Sequence, residues 1–139
     1  MDSHFIKISA DFIREIVKTR TGETRIGEVI SLTTNENTRY EIIGIPESVG
    51  VRANYGIGGT ETAWPAFLKA FLNMQSNRFL SGGNLFLSGY FQFPDLLHAT
   101  TDELREQVAL IDREVSQKIY EAVSGGRIPI VIGGGHNNA

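Results

Sequence analysis

The chain has 139 residues, of which 41% are hydrophobic and 21% are charged, and its formal net charge is −3. This composition is that of a globular protein with one core, and the mild negative charge argues against nucleic acid as a partner. The absence of cysteine excludes disulfides and cysteine-based metal sites. We see no signal peptide and no run approaching the roughly 18 apolar residues of a membrane span, so we expect a cytoplasmic protein without a membrane partner.

The first third of the sequence predicts one short helix and one core strand. Apolar residues at helical spacing predict a helix within residues 9–18. Residues 19–37 are polar, and we expect an irregular segment there, with a short edge strand within 28–32. Residues 39–45 are rich in isoleucine, whose branched side chain suits a buried pleated surface, and they predict the first core strand. Pro46 ends this strand because proline cannot donate to a ladder.

The middle of the sequence predicts a long loop, a helix and a second strand. Residues 46–60 contain four glycines, and a loop of this length within a compact domain is usually functional or disordered. Residues 64–75 predict a helix that tolerates Pro65 in its first turn. Residues 84–90 predict the second strand. The aromatic residues of the helix are interpreted as core rather than as a stacking platform: Trp64, Phe67 and Phe71.

The last third predicts a long helix and a buried strand. Residues 100–103 match a capping box, in which a hydroxyl and a carboxylate satisfy free backbone donors at the start of a helix. Apolar residues then recur every three or four positions, and Gly125 and Gly126 follow as a C-cap. Residues 128–132 predict a third strand that is apolar on both faces, as expected at the centre of a parallel sheet covered by helices.

His136 is the residue that most strongly suggests chemistry. Strands alternating with helices predict an α/β fold, and in open α/β sheets ligands bind beyond the carboxyl ends of the strands. His136 follows the most buried strand after three glycines, at 133–135. We expect those glycines to adopt conformations closed to other residues and to bring the backbone close to a ligand. An imidazole there suits a metal, an acid–base role or a substrate contact, and a plain turn with a disordered histidine is the alternative.

Other residues offer few partners for His136, although a metal needs three or more ligands. His4 lies in a segment that we expect to be a mobile tail, and Asp95 and His98 are interpreted as polar loop residues rather than as a ligand pair.

Nucleotide binding is weakly indicated. Residues 133–136 lack the lysine and hydroxyl residue of a phosphate-binding loop, and residues 56–61 have a glutamate where a dinucleotide fingerprint has its third glycine.

Two stretches together resemble the ureohydrolase family, which comprises arginases, agmatinases and formimidoylglutamases. The family's strand and its Gly-Gly-[Asp/Gly]-His-x-x-Ala signature resemble residues 130–139, Ile-Val-Ile-Gly-Gly-Gly-His-Asn-Asn-Ala. The family's first strand and glycine-rich active-site loop resemble residues 44–59, Gly-Ile-Pro-Glu-Ser-Val-Gly-Val-Arg-Ala-Asn-Tyr-Gly-Ile-Gly-Gly. Residues 63–75 are similar to the formimidoylglutamase branch in particular.

The resemblance implies a doubly wound, mostly parallel sheet of the arginase-like three-layer α/β/α kind. It also implies hydrolysis of a C–N bond in a linear amidine or guanidine, as in amino-acid degradation, by a hydroxide that bridges two manganese ions. On the family motif, His136 is a ligand of the first ion. Arg52, Asn54 and Gly56 are candidates for the substrate mouth. For Arg52 and Asn54, ordinary roles as a surface charge and a turn residue are the favoured alternatives.

The chain also departs from the family pattern. The Asp-x-His-x-Asp and Asp-x-Asp segments, which supply the family's other metal ligands, do not occur in residues 1–139. We therefore expect residues 1–139 to be the N-terminal portion of one ureohydrolase domain, truncated after its first metal-ligand motif, which alone holds no stable manganese and is inactive. The substrate stays open among arginine, agmatine and formimidoylglutamate, because the residues that contact its far end are expected downstream. Ile57 also stands where the family would have arginine.

The complete enzyme is expected to be a homo-oligomer. The alternative function is that of a non-enzymatic α/β module, which associates with another chain through an exposed edge of the strand at 128–132. Unpaired strand edges favour such association.

Overall fold

The computed structural model describes residues 3–94 and 96–139, which form an α/β structure around a four-stranded mixed sheet. The strands are β1 (Phe5–Lys7), β2 (Tyr40–Gly44), β3 (Leu85–Phe91) and β4 (Ile128–Ile132). The helices are α1 (Ala10–Ile16), α2 (Ile26–Val29), α3 (Val49–Ala53), α4 (Ala63–Phe71) and α5 (Thr101–Ser124). Short 3₁₀ turns occur at Thr60–Thr62 and His136–Asn138. The predicted α/β class is confirmed.

The sheet has the strand order β1-β3-β2-β4. β2 lies in the middle and pairs in parallel with both β3 and β4, while β1 pairs antiparallel with β3. The three predicted strands therefore exist close to their predicted bounds. The carboxyl ends of β2 and β4 lie side by side, which brings the segments that follow these strands together.

β1 corrects the expectation of a mobile N-terminal tail. Phe5 to Lys7 pair with the end of β3, and His4 Nδ1 lies 2.9 Å from Glu114 Oε1 of α5. A three-residue strand carries no periodic signal in the sequence. β1 forms because the edge of β3 has free backbone N–H and carbonyl groups with which residues 5–7 can pair.

Helices cover both faces of the sheet. Ile42 and Ile43 are consecutive on β2, so their side chains point to opposite faces. Ile42 packs with Ile13, Ile26 and Leu68, from helices α1, α2 and α4. Ile43 packs in a second cluster that contains residues of α3 and α5: Val49, Ala53, Leu104, Ile111 and Val115.

A bulge in β3 allows side chains of this strand to join both hydrophobic clusters. Ile42 pairs with Leu87 and Ile43 pairs with Gly89, so Ser88 is an extra residue that reverses the alternation of side chains. Leu87 therefore joins the cluster of Ile42, and Phe91 joins the other one. Gly89 has a φ of 153°, and a side chain there would collide with the carbonyl oxygen of Ile6 on β1. The bulge thus needs glycine where β1 approaches.

Two predictions for the irregular segments are wrong in part. The strand expected within 28–32 is replaced by α2, which begins where the backbone N–H of Arg25 donates to Glu28 Oε2 at 2.6 Å. Only Ser31 forms a bridge, with Phe86 of β3. The loop expected over 46–60 contains α3. The contact of Glu28 at the start of α2 is one that the apolar pattern does not reveal. The N-cap residue of α3, Ser48, makes no such side-chain hydrogen bond.

The ends of α5 agree with the predicted capping. Thr100 Oγ1 accepts a hydrogen bond from the backbone N–H of Glu103 at 3.2 Å. The Glu103 carboxylate accepts from the Thr100 hydroxyl rather than from the Thr100 backbone N–H. Only the first of the two hydrogen bonds of a capping box is therefore formed. At the other end Gly126 has a φ of 79°, and the N–H of Arg127 donates to the carbonyl of Ala122, which together terminate the helix.

β4 was expected at the centre of the sheet, and the structure places it at an edge. Within residues 3–94 and 96–139, β4 pairs only with β2. Ile128 and Ile130 consequently remain 47% and 37% exposed.

In the described part of the chain, no helix has both the length and the apolar character needed to cross a membrane.

Candidate functional site

A cleft of about 510 Å³ lies at the carboxyl ends of β2 and β4. Parallel neighbours present the same ends at one edge of the sheet, so the loop after β2 and the turn after β4 meet there. The cleft brings together three residues proposed from the sequence, His136, Asn54 and Gly56. Its other lining residues come from the same two segments: Gly50, Val51, Thr60, Gly134, Gly135 and Asn137.

His136 is presented at the surface of this cleft. It begins the 3₁₀ turn that follows Gly135, and its side chain is exposed. Its imidazole forms no hydrogen bond or ion pair with the residues that the structure describes. Both ring nitrogens are therefore open to a ligand, which is the state required for metal binding, for proton transfer or for a substrate contact.

Glu47 is a buried carboxylate that the sequence interpretation left without a role. It is 4% exposed and lies just after β2. Its Oε1 accepts hydrogen bonds from the Gly135 backbone N–H at 3.0 Å and from Asn138 Nδ2 at 2.7 Å. Its Oε2 accepts from the Gly50 backbone N–H at 3.1 Å. Glu47 therefore ties the turn after β4 to the loop after β2.

The signal for Glu47 was present in the sequence. A glycine turn leaves backbone N–H groups that need acceptors when they are buried. Glu47 is the charged residue in the stretch that directly follows the first core strand. This makes Glu47 a candidate acceptor, but the donors that it satisfies are decided by the tertiary structure.

The reason for the three glycines before His136 differs from the one expected. None of Gly133, Gly134 and Gly135 has a positive φ. Instead, a Cβ on Gly134 would collide with the carbonyl oxygen of Glu47, and a Cβ on Gly135 would lie 3.2 Å from Glu47 Oε1. Gly134 is therefore needed for close approach to Glu47, and Gly135 for close approach to Asn137 and Glu47, whereas Gly133 has room for a side chain.

Asn54 and Gly56 form the opposite wall of the cleft. Asn54 ends α3, and its side chain is exposed. Tyr55 then adopts a φ of 63°, and the backbone N–H of Gly56 donates to the Val51 carbonyl at 2.8 Å. A Cβ on Gly56 would lie 2.9 Å from that carbonyl oxygen, so glycine is required at this tight turn.

Arg52 faces a neighbouring cleft. It lines that second cleft together with Glu61, and its Nη1 donates to the Leu96 carbonyl at 2.9 Å. The backbone N–H of Glu61 itself, followed by that of Gly59, lowers the pKa of the Glu61 carboxyl, and the Arg52 charge adds a smaller effect. Arg52 therefore links α3 to the segment before α5 and does not line the His136 cleft.

The described residues do not by themselves form a metal centre. Among residues 3–94 and 96–139, no group of three histidine, aspartate or glutamate side chains is placed to hold an ion. Glu47 directs both of its oxygens at N–H donors. His98 is exposed on the loop before α5, and Asp95, its suggested partner, lies outside the described residues.

No model of a protein family, no curated protein and no solved structure matches this chain. The chemistry of the cleft and the two motif stretches that line it are therefore the basis for assigning a function.

Proposed function

We propose that the chain belongs to a manganese-dependent hydrolase of linear amidines or guanidines, similar to the ureohydrolases and most similar to the formimidoylglutamase branch. The observation that carries this proposal is that the two stretches resembling that family line a single cleft. The exposed imidazole of His136 lies at one wall, and Asn54 and Gly56 lie at the other. In this proposal His136 is a metal ligand and Asn54 contacts the substrate.

The arrangement of the helices supports an arginase-like, doubly wound sheet. The connection from β2 to β3 begins with the short α3 on the face of α5 and then carries α4 on the opposite face. The connection from β3 back past β2 to β4 carries α5. Crossovers of the same hand that run in opposite directions across a sheet place their helices on opposite faces. Ligands bind in such folds where these connections diverge.

The two manganese ions do not fit the described residues alone, because these provide one imidazole and no free carboxylate beside it. Manganese prefers carboxylate and other oxygen ligands. The proposal therefore requires further ligands from polypeptide other than residues 1–139. The contribution assigned to this chain is limited to presenting His136 and shaping the cleft for a small planar substrate.

The test uses the complete natural polypeptide that contains residues 1–139. Purified with manganese, it should release formamide from formimidoylglutamate or urea from arginine or agmatine. The variant His136→Ala should abolish this activity because it removes a ligand. His98→Ala is the matched control, since it removes an exposed imidazole that does not line the cleft, and it should retain activity.

Two results would count against the proposal. One is a folded natural polypeptide that hydrolyses none of the three substrates with manganese present. The other is a His136→Ala variant as active as His98→Ala, which would show that the imidazole in the cleft is not needed for hydrolysis.

A second candidate function, association through the edge of β4, is supported by the hydrogen-bond pattern of that strand. The N–H of Ile128 donates to the Arg39 carbonyl, and the Ile132 carbonyl accepts from Ile45, so these residues face β2. On the open side Val131 offers both an N–H and a carbonyl, whereas Pro129 offers only its carbonyl because proline has no N–H. A strand of another chain could pair there, and an assembly of identical chains would make the protein a homo-oligomer.

Light scattering coupled to size-exclusion chromatography tests this second candidate. A metal-independent dimer that Ile130→Lys converts to a monomer would support it, because the lysine places a charge on the exposed face of β4. A monomer at all concentrations would count against it.

A further inference from the structure

We propose that Glu47 is the positioning residue of the cleft, whose buried carboxylate fixes the turn over residues 135–138 and thereby the direction in which His136 is presented. Any consequence for catalysis rests on the proposed function. The effect on the turn does not, because it follows from contacts within the described residues.

Three hydrogen bonds carry the inference. The carboxylate accepts from the backbone N–H groups of Gly50 and Gly135 and from the side-chain amide of Asn138, at 2.7 to 3.1 Å. Gly135 and Asn138 lie on either side of His136 and its neighbour Asn137, so the turn is held at both ends. Hydrogen bonds to a charged acceptor are stronger than those between neutral groups.

The backbone of Glu47 adds a second set of contacts. Its carbonyl oxygen accepts a hydrogen bond from Thr60 Oγ1 at 2.7 Å. The same carbonyl packs against Gly134, where it leaves no room for a side chain. One residue therefore contacts the loop after β2, the segment before α4 and the turn after β4, which are the segments that enclose the cleft.

A carboxylate is the side chain that this position requires. Each oxygen of Glu47 faces N–H donors only, and in either orientation a glutamine would point its NH₂ group at one of those donors. In addition, Glu47 forms no ion pair with the residues that the structure describes. Its negative charge lies behind the wall formed by Gly134 and Gly135, and this charge favours a cationic ligand in the cleft.

NMR spectroscopy of the chain tests the inference through two readouts. In Glu47→Gln, the hydrogen-exchange protection of the Gly135 or Gly50 amide should fall about tenfold or more, as expected for the loss of a hydrogen bond to a charged group. The ring signals of His136 should move at the same time. His4 and His98, the other histidines of the chain, are internal references whose ring signals should stay in place.

Glu36→Gln is the matched control, because Glu36 is an exposed carboxylate that does not line the cleft, and it should change none of these signals. Asn138→Ala is a second variant that removes one donor from Glu47 Oε1 at the surface. If Glu47→Gln fails to fold, a shift of His136 alone in Asn138→Ala supports the inference.

Unchanged His136 signals in both variants would overturn the inference, as would equal shifts of all three histidines, which would indicate a general loss of structure. These readouts need no manganese and no substrate. A polypeptide that lacks amidine hydrolysis would therefore overturn the proposed function without affecting the result for Glu47.

Discussion

The three glycines before His136 have different neighbours, and this difference makes a prediction at the scale of single residues. Gly134→Ala should lower the free energy of unfolding by about 1–3 kcal/mol, the usual range for overpacking, because its Cβ would collide with the Glu47 backbone. Gly133→Ala is the control, since its Cβ would meet its nearest neighbour, Asn138 Cβ, at 3.5 Å, an ordinary contact. Urea unfolding followed by circular dichroism measures both, and equal losses of stability would contradict the explanation.

Glu41 provides a second prediction at this scale. Its carboxylate is 1% exposed and lies 2.7 Å from Arg127 Nε and 3.6 Å from Lys118 Nζ. Arg127→Ala should destabilise the protein by about 3 kcal/mol, because it removes the nearer partner of a buried charge. Arg105→Ala, which removes an exposed arginine of α5, should have little effect.

The double variant Glu41→Leu/Arg127→Ala tests the cause of that loss. In Arg127→Ala the buried carboxylate keeps only its more distant partner, Lys118, so replacing it by an apolar side chain should restore part of the lost stability. If the double variant is no more stable than Arg127→Ala, burial of an incompletely paired charge is not the reason. Chemical unfolding at neutral pH provides both values.

At the scale of elements, α5 depends on its first residues. Thr100→Ala should destabilise the protein by about 1 kcal/mol, because the Thr100 hydroxyl accepts from the free N–H of Glu103. Thr101→Ala is the matched control, since it removes the same hydroxyl one position further, inside the helix. A thermal midpoint lowered by Thr101→Ala as much as by Thr100→Ala would exclude a capping effect.

The loop between β2 and α4 should respond to pH through Glu61. Hydrogen bonds lower the pKa of this carboxyl below its ordinary value of 4.5, so the ionised form is favoured in the folded state. This stabilisation is present above pH 4.5 and is lost as the pH falls through the lower pKa of the folded state. Glu61→Gln should therefore be less stable than the wild type at neutral pH, by a small amount because Glu61 is exposed.

Urea midpoints measured across this pH range are the test. The difference between wild type and Glu61→Gln should shrink as the medium becomes more acidic than pH 4.5. A difference that grows on acidification would show that the sign of the pKa shift is wrong.

At the scale of the whole molecule, the two hydrophobic clusters should unfold together, because β2 contributes Ile42 to one and Ile43 to the other. Ile111→Ala, which leaves a void in the α5 cluster, should destabilise the protein by about 2–5 kcal/mol. The fluorescence of Trp64, the single tryptophan, reports on the opposite face of the sheet. It should show the same midpoint as circular dichroism.

Val123→Ala is the control for that experiment, since Val123 of α5 is 58% exposed and its truncation should leave the midpoint nearly unchanged. The contrary result is that Ile111→Ala shifts the midpoint measured by circular dichroism and leaves the midpoint of Trp64 fluorescence unchanged. That result would show that the two faces unfold independently.

The sequence by itself determined the elements whose signals are local. The isoleucine-rich strands, the periodic apolar face of α5 and its caps at Thr100 and Gly126 lie where the residue pattern predicts them. The ureohydrolase-like motifs also singled out His136 and the loop with Asn54 and Gly56. These features could be predicted because strand burial, helix periodicity and capping depend on neighbours within a few residues.

Only the tertiary structure decided the features that depend on residues far apart in the chain. β1 exists because the edge of β3 is available, and β4 lies at an edge because it pairs on one side in the described chain. Glu47 contacts the turn after β4 because the parallel pairing of β2 with β4 places Gly135, 88 positions away in sequence, within hydrogen-bond distance. A single buried carboxylate has no periodicity, so its role appears only when its donors are in place.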